Sequence, residues 1–152
     1  MRQDNKLSRT LHVLLHMARH DKVYTSEQIA KMLGTNSAVV RRTLAGLREV
    51  GFVSAVKGHH GGWRIAVALR DVSLLDIYRA VGGKQLFAIG GGDENPECAV
   101  EAAVNRALGN VLDEAEQALL SRFSEISLED LRVYFESHFP EELEPTICIV
   151  NS

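Results

Sequence analysis

The chain has 152 residues, 45% of them hydrophobic, and a formal net charge of −3 at neutral pH. This length can supply one well-packed core and one oligomerisation element. No stretch reaches the roughly 18 apolar residues of a membrane span, and the polar start MRQDNK lacks the apolar segment of a secretory signal. Cys98 and Cys148 lie far apart, which is typical of a reducing compartment without a disulfide framework. We therefore expect a cytoplasmic protein with no membrane partner.

The charge is unevenly distributed. Residues 1–82 hold 13 Lys/Arg against 6 Asp/Glu, a net charge of +7, and residues 83–152 hold 4 against 14, a net charge of −10. A polyanion attracts the first half and repels the second. The asymmetry predicts that only the first half faces a nucleic acid.

Residues 6–20 carry leucines at helical spacing and predict the first helix. Ser8 and Arg9 near its start are candidate phosphate contacts. His12, His16 and His20 repeat at four-residue steps, a geometry that could bind a metal. A solvated polar face is the favoured interpretation, and no metal site is predicted.

Residues 25–50 contain two helical patterns separated by a short break. Thr25 followed three residues later by Gln28 has the form of a capping box, and Gly34 ends the first pattern. Asn36 is a suitable N-cap for the second pattern, which Gly51 ends. This arrangement predicts a helix-turn-helix.

A β-hairpin is predicted next. Residues 52–56 and 63–66 alternate with a period of two and flank a glycine-rich tip at residues 57–62. Two helices followed by a basic hairpin describe a winged helix-turn-helix, so the predicted fold class is mostly α with a small β-hairpin wing.

The positions of the basic and short polar residues predict double-stranded DNA as the partner. Burying the apolar face of the second helix leaves Arg41 and Arg42 in solvent, its first turn can meet base edges, and the wing glycines allow close approach to phosphates. The candidate DNA-binding residues are Ser8, Arg9, Thr25, Ser26, Gln28, Asn36, Ser37, Val39, Arg41, Arg42, Lys57, His59, His60 and Arg64. A basic surface helix beside a solvated loop is the alternative for any one of them.

The second half predicts a dimerisation element. Ser73 and Asp76 start a short helix, residues 84–97 form a glycine-rich acidic loop, and Pro96 to Phe123 form one long helix. Its apolar residues advance by threes and fours, as in a coiled coil. A two-fold axis along this helix would place two basic domains over two half-sites. The predicted dimer interface comprises Val100, Val104, Leu108, Val111, Leu112, Ala115 and Leu119.

A last helix is predicted from Ser127 to near Pro140, with Leu131, Tyr134 and Phe135 facing inward, followed by a tail. The predicted organisation is a DNA-binding domain at 1–83, a flexible loop at 84–97, dimerisation helices at 98–140 and a tail at 141–152.

The sequence resembles the Rrf2 family of bacterial transcription regulators. The resemblance rests on the order of three motifs: the helix-turn-helix, its closing segment LREVGFV at 47–53, and GHHGGW at 58–63 in the wing. It implies a dimeric winged-helix repressor. Family members with an iron–sulfur cluster carry three closely spaced cysteines before the dimer helix, whereas this chain has only Cys98 there. The sequence therefore resembles a cluster-free branch, and no cofactor is predicted.

Cys98 is the candidate redox sensor. A helix start favours the thiolate, whereas neighbouring carboxylates disfavour it. Oxidation, or a disulfide to Cys148 or to a partner chain, would alter the hinge between dimer helix and DNA-binding domain. A small buried residue that fills a gap at a helix start is the structural alternative, and an unidentified small-molecule effector stays open.

Two other function classes remain. A small enzyme has little support, because no nucleophile–base order, metal-ligand pair or nucleotide loop stands out. The second class is a winged helix that binds a protein. Such a domain need not be basic, so the net charge of +7 on residues 1–82 argues against it. Binding to random duplex that weakens steeply with salt would separate DNA binding from both.

Overall fold

The computed structural model describes residues 6–83, 86–87 and 98–139. The mostly helical fold class with an antiparallel hairpin is confirmed. Most of the predicted loop, Pro96, Cys148 and the predicted tail lie outside the described residues. The elements in chain order are α1 (Lys6–His20), α2 (Ser26–Leu33), α3 (Ser37–Glu49), β1 (Val53–Val56), β2 (Gly62–Ile65), a 3₁₀ turn (Leu69–Asp71), α4 (Leu74–Ala80), α5 (Ala99–Glu125) and α6 (Leu128–His138).

Local hydrogen bonds set the ends of α2 and α3, as the sequence predicts. The Thr25 hydroxyl accepts the Gln28 amide at 3.1 Å, and the Gln28 side chain accepts the Thr25 amide at 2.9 Å. Gly34 ends α2 with a φ of 60°, a left-handed conformation that favours glycine. The Asn36 side chain accepts the Val39 amide at 3.0 Å. Since a cap contributes ~1 kcal/mol, short-range chemistry fixes both helix starts.

The wing is a two-stranded hairpin that is tied to the segment before α2. Val53 pairs with Ile65 and Ala55 with Trp63, so Gly62 belongs to β2 rather than to the tip. Tyr24 and Trp63 exchange backbone hydrogen bonds of 2.9 and 2.8 Å. A Cβ atom at Gly62 would overlap the Tyr24 carbonyl, so this close approach requires glycine.

One core unites the winged helix with α6. Leu128 of α6 is 2% exposed and belongs to the same cluster as Ile29 of α2 and Leu44 of α3. The predicted dimerisation segment therefore contributes to the core of the DNA-binding domain. The largest fully buried side chains are Leu14, Met17, Ile29, Leu44, Leu47, Ile77, Leu128, Val53 and Val72.

The starts of α4 and α6 are joined back to back. The Leu74 amide donates to the Ile126 carbonyl and the Leu128 amide to the Val72 carbonyl, both at 2.9 Å. Ser73 is the N-cap of α4 and Ser127 is the N-cap of α6, and each forms a capping box with the aspartate three residues later. These bonds attach the C-terminal end of α5 to the winged helix.

Two predicted details are wrong. Cys98 is the residue before the first turn of α5, not a position two residues inside the helix. Tyr134 is 58% exposed rather than inward, because only one face of α6 reaches the core. Its ring stacks on His138 at 4.1 Å between centroids on the outer side.

Candidate nucleic-acid interface

The exposed face of α3 presents two guanidinium groups. Val40, Leu44 and Leu47 are buried, and the 3.6-residue period places Arg41 and Arg42 on the solvent side. Arg41 lies 3.4 Å from the Glu27 carboxylate, with side chains 55% and 65% exposed. An exposed pair of this kind contributes ~1 kcal/mol or less, so a phosphate or base can displace the carboxylate.

The first turn of α3 is accessible from the same side. Val39 is 40% exposed, and Ser37 is half-buried. The Asn36 side chain is used in the cap, so its amide group is held beside the first turn. The turn therefore offers an apolar group and short polar groups, which suit contacts to base edges.

The wing presents its charge at the tip and along β2. Lys57, His59 and His60 are exposed, and the two imidazoles lie 5.0 Å apart in an edge-to-face arrangement. Arg64 is exposed on β2, opposite Ser54. The side chains of the wing can thus contact the phosphate backbone of a DNA duplex that runs alongside α3.

The start of α1 lies near the start of α3. Ser8 and Arg9 are exposed, and Arg9 lines the same surface pocket as Thr35 and Val39. Sequence reasoning did not select Thr35, which precedes the N-cap of α3. The structure therefore groups basic residues of α1 with the exposed face of α3.

The start of α2 contributes less than predicted. Ser26 is 7% exposed, and its hydroxyl accepts the Trp63 indole N–H at 3.0 Å. This bond removes Ser26 from the candidate interface. Thr25 and Gln28 use their side chains in the capping box. Sequence reasoning also missed Arg48, whose guanidinium lies 6.0 Å from the centre of the Trp63 ring.

Two of the three histidines on this partly solvated face of α1 form a pair. The Nε2 atoms of His12 and His16 are 2.9 Å apart. Partial burial lowers the pKa of His12, and burial followed by the charges of His12, Arg19 and His20 lowers the pKa of His16. Within the described ranges, no cluster of three or more His, Cys, Asp or Glu side chains could hold a metal ion.

Helix α5 has two distinct faces and no buried residue. One face is half-buried at the α4 side, where Tyr78 and Phe123 lie 6.2 Å apart in an edge-to-face arrangement. Leu112 is half-buried on this side, so it does not belong to the exposed stripe with which it was predicted. The exposed stripe lies roughly 120° around the helix. It contains Val100, Val104, Leu108, Val111, Ala115 and Leu119.

Cys98 is exposed at the start of α5. Its side chain makes no capping hydrogen bond. The backbone amide of Glu101, and to a smaller extent that of Val100, nevertheless lowers the pKa of the Cys98 thiol. A lower pKa increases the fraction of the thiol that is ionised to the reactive thiolate.

Comparison with known proteins decides the family. Residues 3–133 match the Rrf2 family, described as an iron-dependent transcriptional regulator. The chain is an Rrf2-family transcriptional regulator. It is 30% identical over 129 residues to the Bacillus subtilis protein YwnA, by name an HTH-type transcriptional regulator, with 84% of this chain and 95% of YwnA covered.

Solved structures share the fold of this Rrf2 protein. IscR of T. potens is 21% identical, with a TM-score of 0.62 and coverage of 91% of this chain and 92% of IscR. The oxidized form of Staphylococcus aureus CymR is 18% identical, with a TM-score of 0.66 and coverage of 87% and 96%. The resemblance to this family and its winged-helix fold, predicted from sequence, is confirmed. Transcriptional regulators of this kind are not enzymes, and their function is DNA binding.

The donor set of this Rrf2 protein does not fit a cysteine-ligated iron–sulfur cluster. Such clusters require four ligands that are mostly thiolates, and the whole chain contains two cysteines. Only Cys98 lies at the start of α5. The absence of a cluster stays a prediction. Among the described helices, none combines the length and apolarity needed to cross a membrane.

Proposed function

We propose that this Rrf2 regulator is a homodimeric, sequence-specific repressor. In this proposal α3 enters the major groove, the hairpin wing lies along the backbone, and α5 forms the dimer. The observation that carries the proposal is the pairing of a basic, exposed α3 face with a long apolar stripe on α5 in one chain.

The apolar stripe supports dimer formation. Val100 is 72% exposed, Val111 64%, Val104 51%, and Leu108 44%. Side chains of this kind at three- and four-residue steps are typical of a helix that packs against a second helix. A second copy of α5 would cover the stripe on both protomers at once, which is an isologous two-fold interface. Two α3 helices would then address two half-sites related by the same axis.

The charge distribution supports the DNA orientation. The first half of the chain carries +7 and the second −10. Phosphates would attract α1, α3 and the wing and repel α5. A dimer docked in this way would cover the promoter segment that it binds, which agrees with repression.

Selection of bound sequences from a random duplex library tests the proposal. We expect an inverted repeat whose half-sites lie about one helical turn apart, or a multiple of it. Affinity should fall steeply with salt. A winged helix that serves only as a protein-binding module would show no enriched sequence and little binding even at low salt.

Variants at the two arginines test the orientation. Arg41→Ala or Arg42→Ala should cost about 1–3 kcal/mol at the selected site if the residue reads a base, and relax the preference at one position. A phosphate contact would weaken all sequences nearly equally. Arg106→Ala on α5 is the matched control, because it removes the same exposed side chain from the acidic half. Unchanged operator affinity in the double variant would refute this docking.

We further propose that Cys98 reports oxidants to the DNA-binding domains. A thiolate attacks the O–O bond of a peroxide and takes up one oxygen as a sulfenic acid. The other oxygen leaves as hydroxide or as an alkoxide, which then takes a proton from water. The wild type should lose operator affinity after mild peroxide, whereas Cys98→Ser should keep it. An equal response of both proteins, or no response in either, would exclude Cys98 as the switch.

A further inference from the structure

A surface pocket lies between the start of α1 and the helix-turn-helix. Its volume is about 90 Å³. Its inner wall includes Val13, Ile29 and Leu44, which are 4%, 0% and 2% exposed. Arg9 and Thr35 also line it. The pocket therefore has an apolar interior and polar groups near solvent, a combination typical of small-molecule sites.

The size and lining of the pocket restrict its ligand. An apolar cavity of roughly 150 Å³ accommodates benzene and stays free of water. This pocket is smaller, with about 90 Å³, so its interior admits a branched or cyclic group of about four non-hydrogen atoms. Nucleotides and sugar phosphates are too large and too polar. A short hydrocarbon group fits this volume, and water binds only weakly to the apolar interior that the group would occupy.

Two basic residues, Lys6 and Arg9, line the pocket and favour an anionic ligand. Arg9 is exposed, and it makes no ion pair among the residues that the structure describes. Its guanidinium can bind a carboxylate through two parallel hydrogen bonds. The Lys6 ammonium donates to the Val81 carbonyl at 2.5 Å, which fixes this end of α1 against the end of α4. Arg9 therefore projects from an anchored helix start.

The same pocket includes the start of the recognition helix. Val39 and Thr43 of α3 line it, together with Thr35 in the preceding turn. Val39 and Arg9 also belong to the surface that we propose faces DNA. A ligand here would engage the Arg9 guanidinium and contact the first turn of α3, so it would compete with phosphate and base contacts.

We propose that this pocket is an effector site for a small monocarboxylate with a short branched or cyclic apolar group. The occupant weakens operator binding by engaging Arg9 and the start of α3. The second statement rests on the proposed function, whereas binding itself does not depend on DNA.

Three matched probes test binding to the free protein. They are 3-methylbutanoate, its uncharged analogue 3-methylbutan-1-ol, and acetate, which has the charge without the branched group. Amide chemical shifts of the full chain should report 3-methylbutanoate at Thr35, Val39 and Thr43, with a dissociation constant on the order of 0.1–1 mM for so small a ligand. The alcohol and acetate should each bind at least tenfold more weakly. Equal binding of acid and alcohol, or no saturable shift at 20 mM, would overturn the site.

Two variants locate the interaction. Arg9→Gln should remove the preference for the acid over the alcohol, and Leu33→Phe should fill the pocket and reduce binding of both by tenfold or more. Lys31→Gln, which removes an exposed cation of α2 outside the pocket, should change neither affinity. Thermal unfolding measures whether Leu33→Phe is folded. If Leu33→Phe is not folded, the Arg9→Gln variant still decides the test, because Arg9 is exposed and its replacement does not disturb the core. If Arg9→Gln binds the acid as tightly as the wild type does, the assignment of Arg9 as the carboxylate ligand is overturned.

Operator affinity with and without 3-methylbutanoate tests the effector role. At ten times its dissociation constant, the acid should weaken operator binding at least threefold, and the alcohol at the same concentration should not. Binding in the pocket with unchanged operator affinity would refute the effector role alone. Failure of the free protein to bind any operator would refute the proposed function and leave the ligand site standing.

Discussion

Replacing Val104 and Val111 by aspartate should separate the proposed dimer. These side chains are 51% and 64% exposed in the single chain, and both lie in the apolar stripe of α5. Full burial of a valine stabilises by about 1.5–3 kcal/mol. Covering these exposed fractions would thus contribute roughly 2–3 kcal/mol per protomer and roughly 4–6 kcal/mol per dimer. Its loss raises the dimer dissociation constant by about 10³- to 10⁴-fold, before the cost of burying carboxylates is added.

Sedimentation equilibrium from nanomolar to 100 micromolar protein measures this change. Asn110→Asp/Gln117→Glu is the matched control, because it adds two negative charges to exposed positions of α5 outside the stripe. The control should stay dimeric, and circular dichroism should show equal helix content in all three proteins. A dissociation constant of the valine variant within tenfold of the wild type would refute our assignment of the stripe as the dimer interface.

Three further predictions concern the stability of the fold, its dependence on pH, and operator binding by the wing. Ser26→Ala leaves the buried tryptophan indole without its acceptor and should lower the free energy of unfolding by about 1–3 kcal/mol in urea titrations; a loss below about 0.5 kcal/mol would contradict the importance of this bond. Because folding lowers the pKa values of His12 and His16, the unfolded chain binds protons first, so the free energy of unfolding should fall as pH drops below about 6.5. His12→Gln/His16→Gln should flatten this dependence, and an unchanged slope would exclude the pair. His59→Gln/His60→Gln should weaken operator binding in anisotropy titrations, because both exposed imidazoles can contact phosphates; an unchanged affinity would contradict the proposed wing contact.

The sequence predicted the features that depend on neighbouring residues. The caps at Thr25, Asn36, Ser73 and Ser127 involve partners three residues away, so residue type and spacing were sufficient. The outward position of Arg41 follows equally from helical periodicity.

The sequence could not predict features that arise from contacts across the fold. Ser26 was assigned to the DNA surface, yet it bonds an indole 37 positions away. Leu112 fits the apolar repeat of α5, but it is half-buried on the helix face that carries Phe123. The pocket beside Arg9 needs three helices in their final arrangement. The periodicity of a sequence predicts which residues share one face of a helix or strand. Which element packs against that face depends on the tertiary structure.

The chain carries a built-in optical probe where the wing meets the helix-turn-helix. Trp63 is the only tryptophan, it is 9% exposed, and its indole bonds Ser26 while its backbone pairs with Tyr24. Every emitted tryptophan photon therefore originates from this one junction. Emission wavelength and quenching by iodide can follow the junction during a DNA titration without any attached dye. A wing that shifts against α2 will change the emission, whereas a wing that docks as a rigid body will leave it constant.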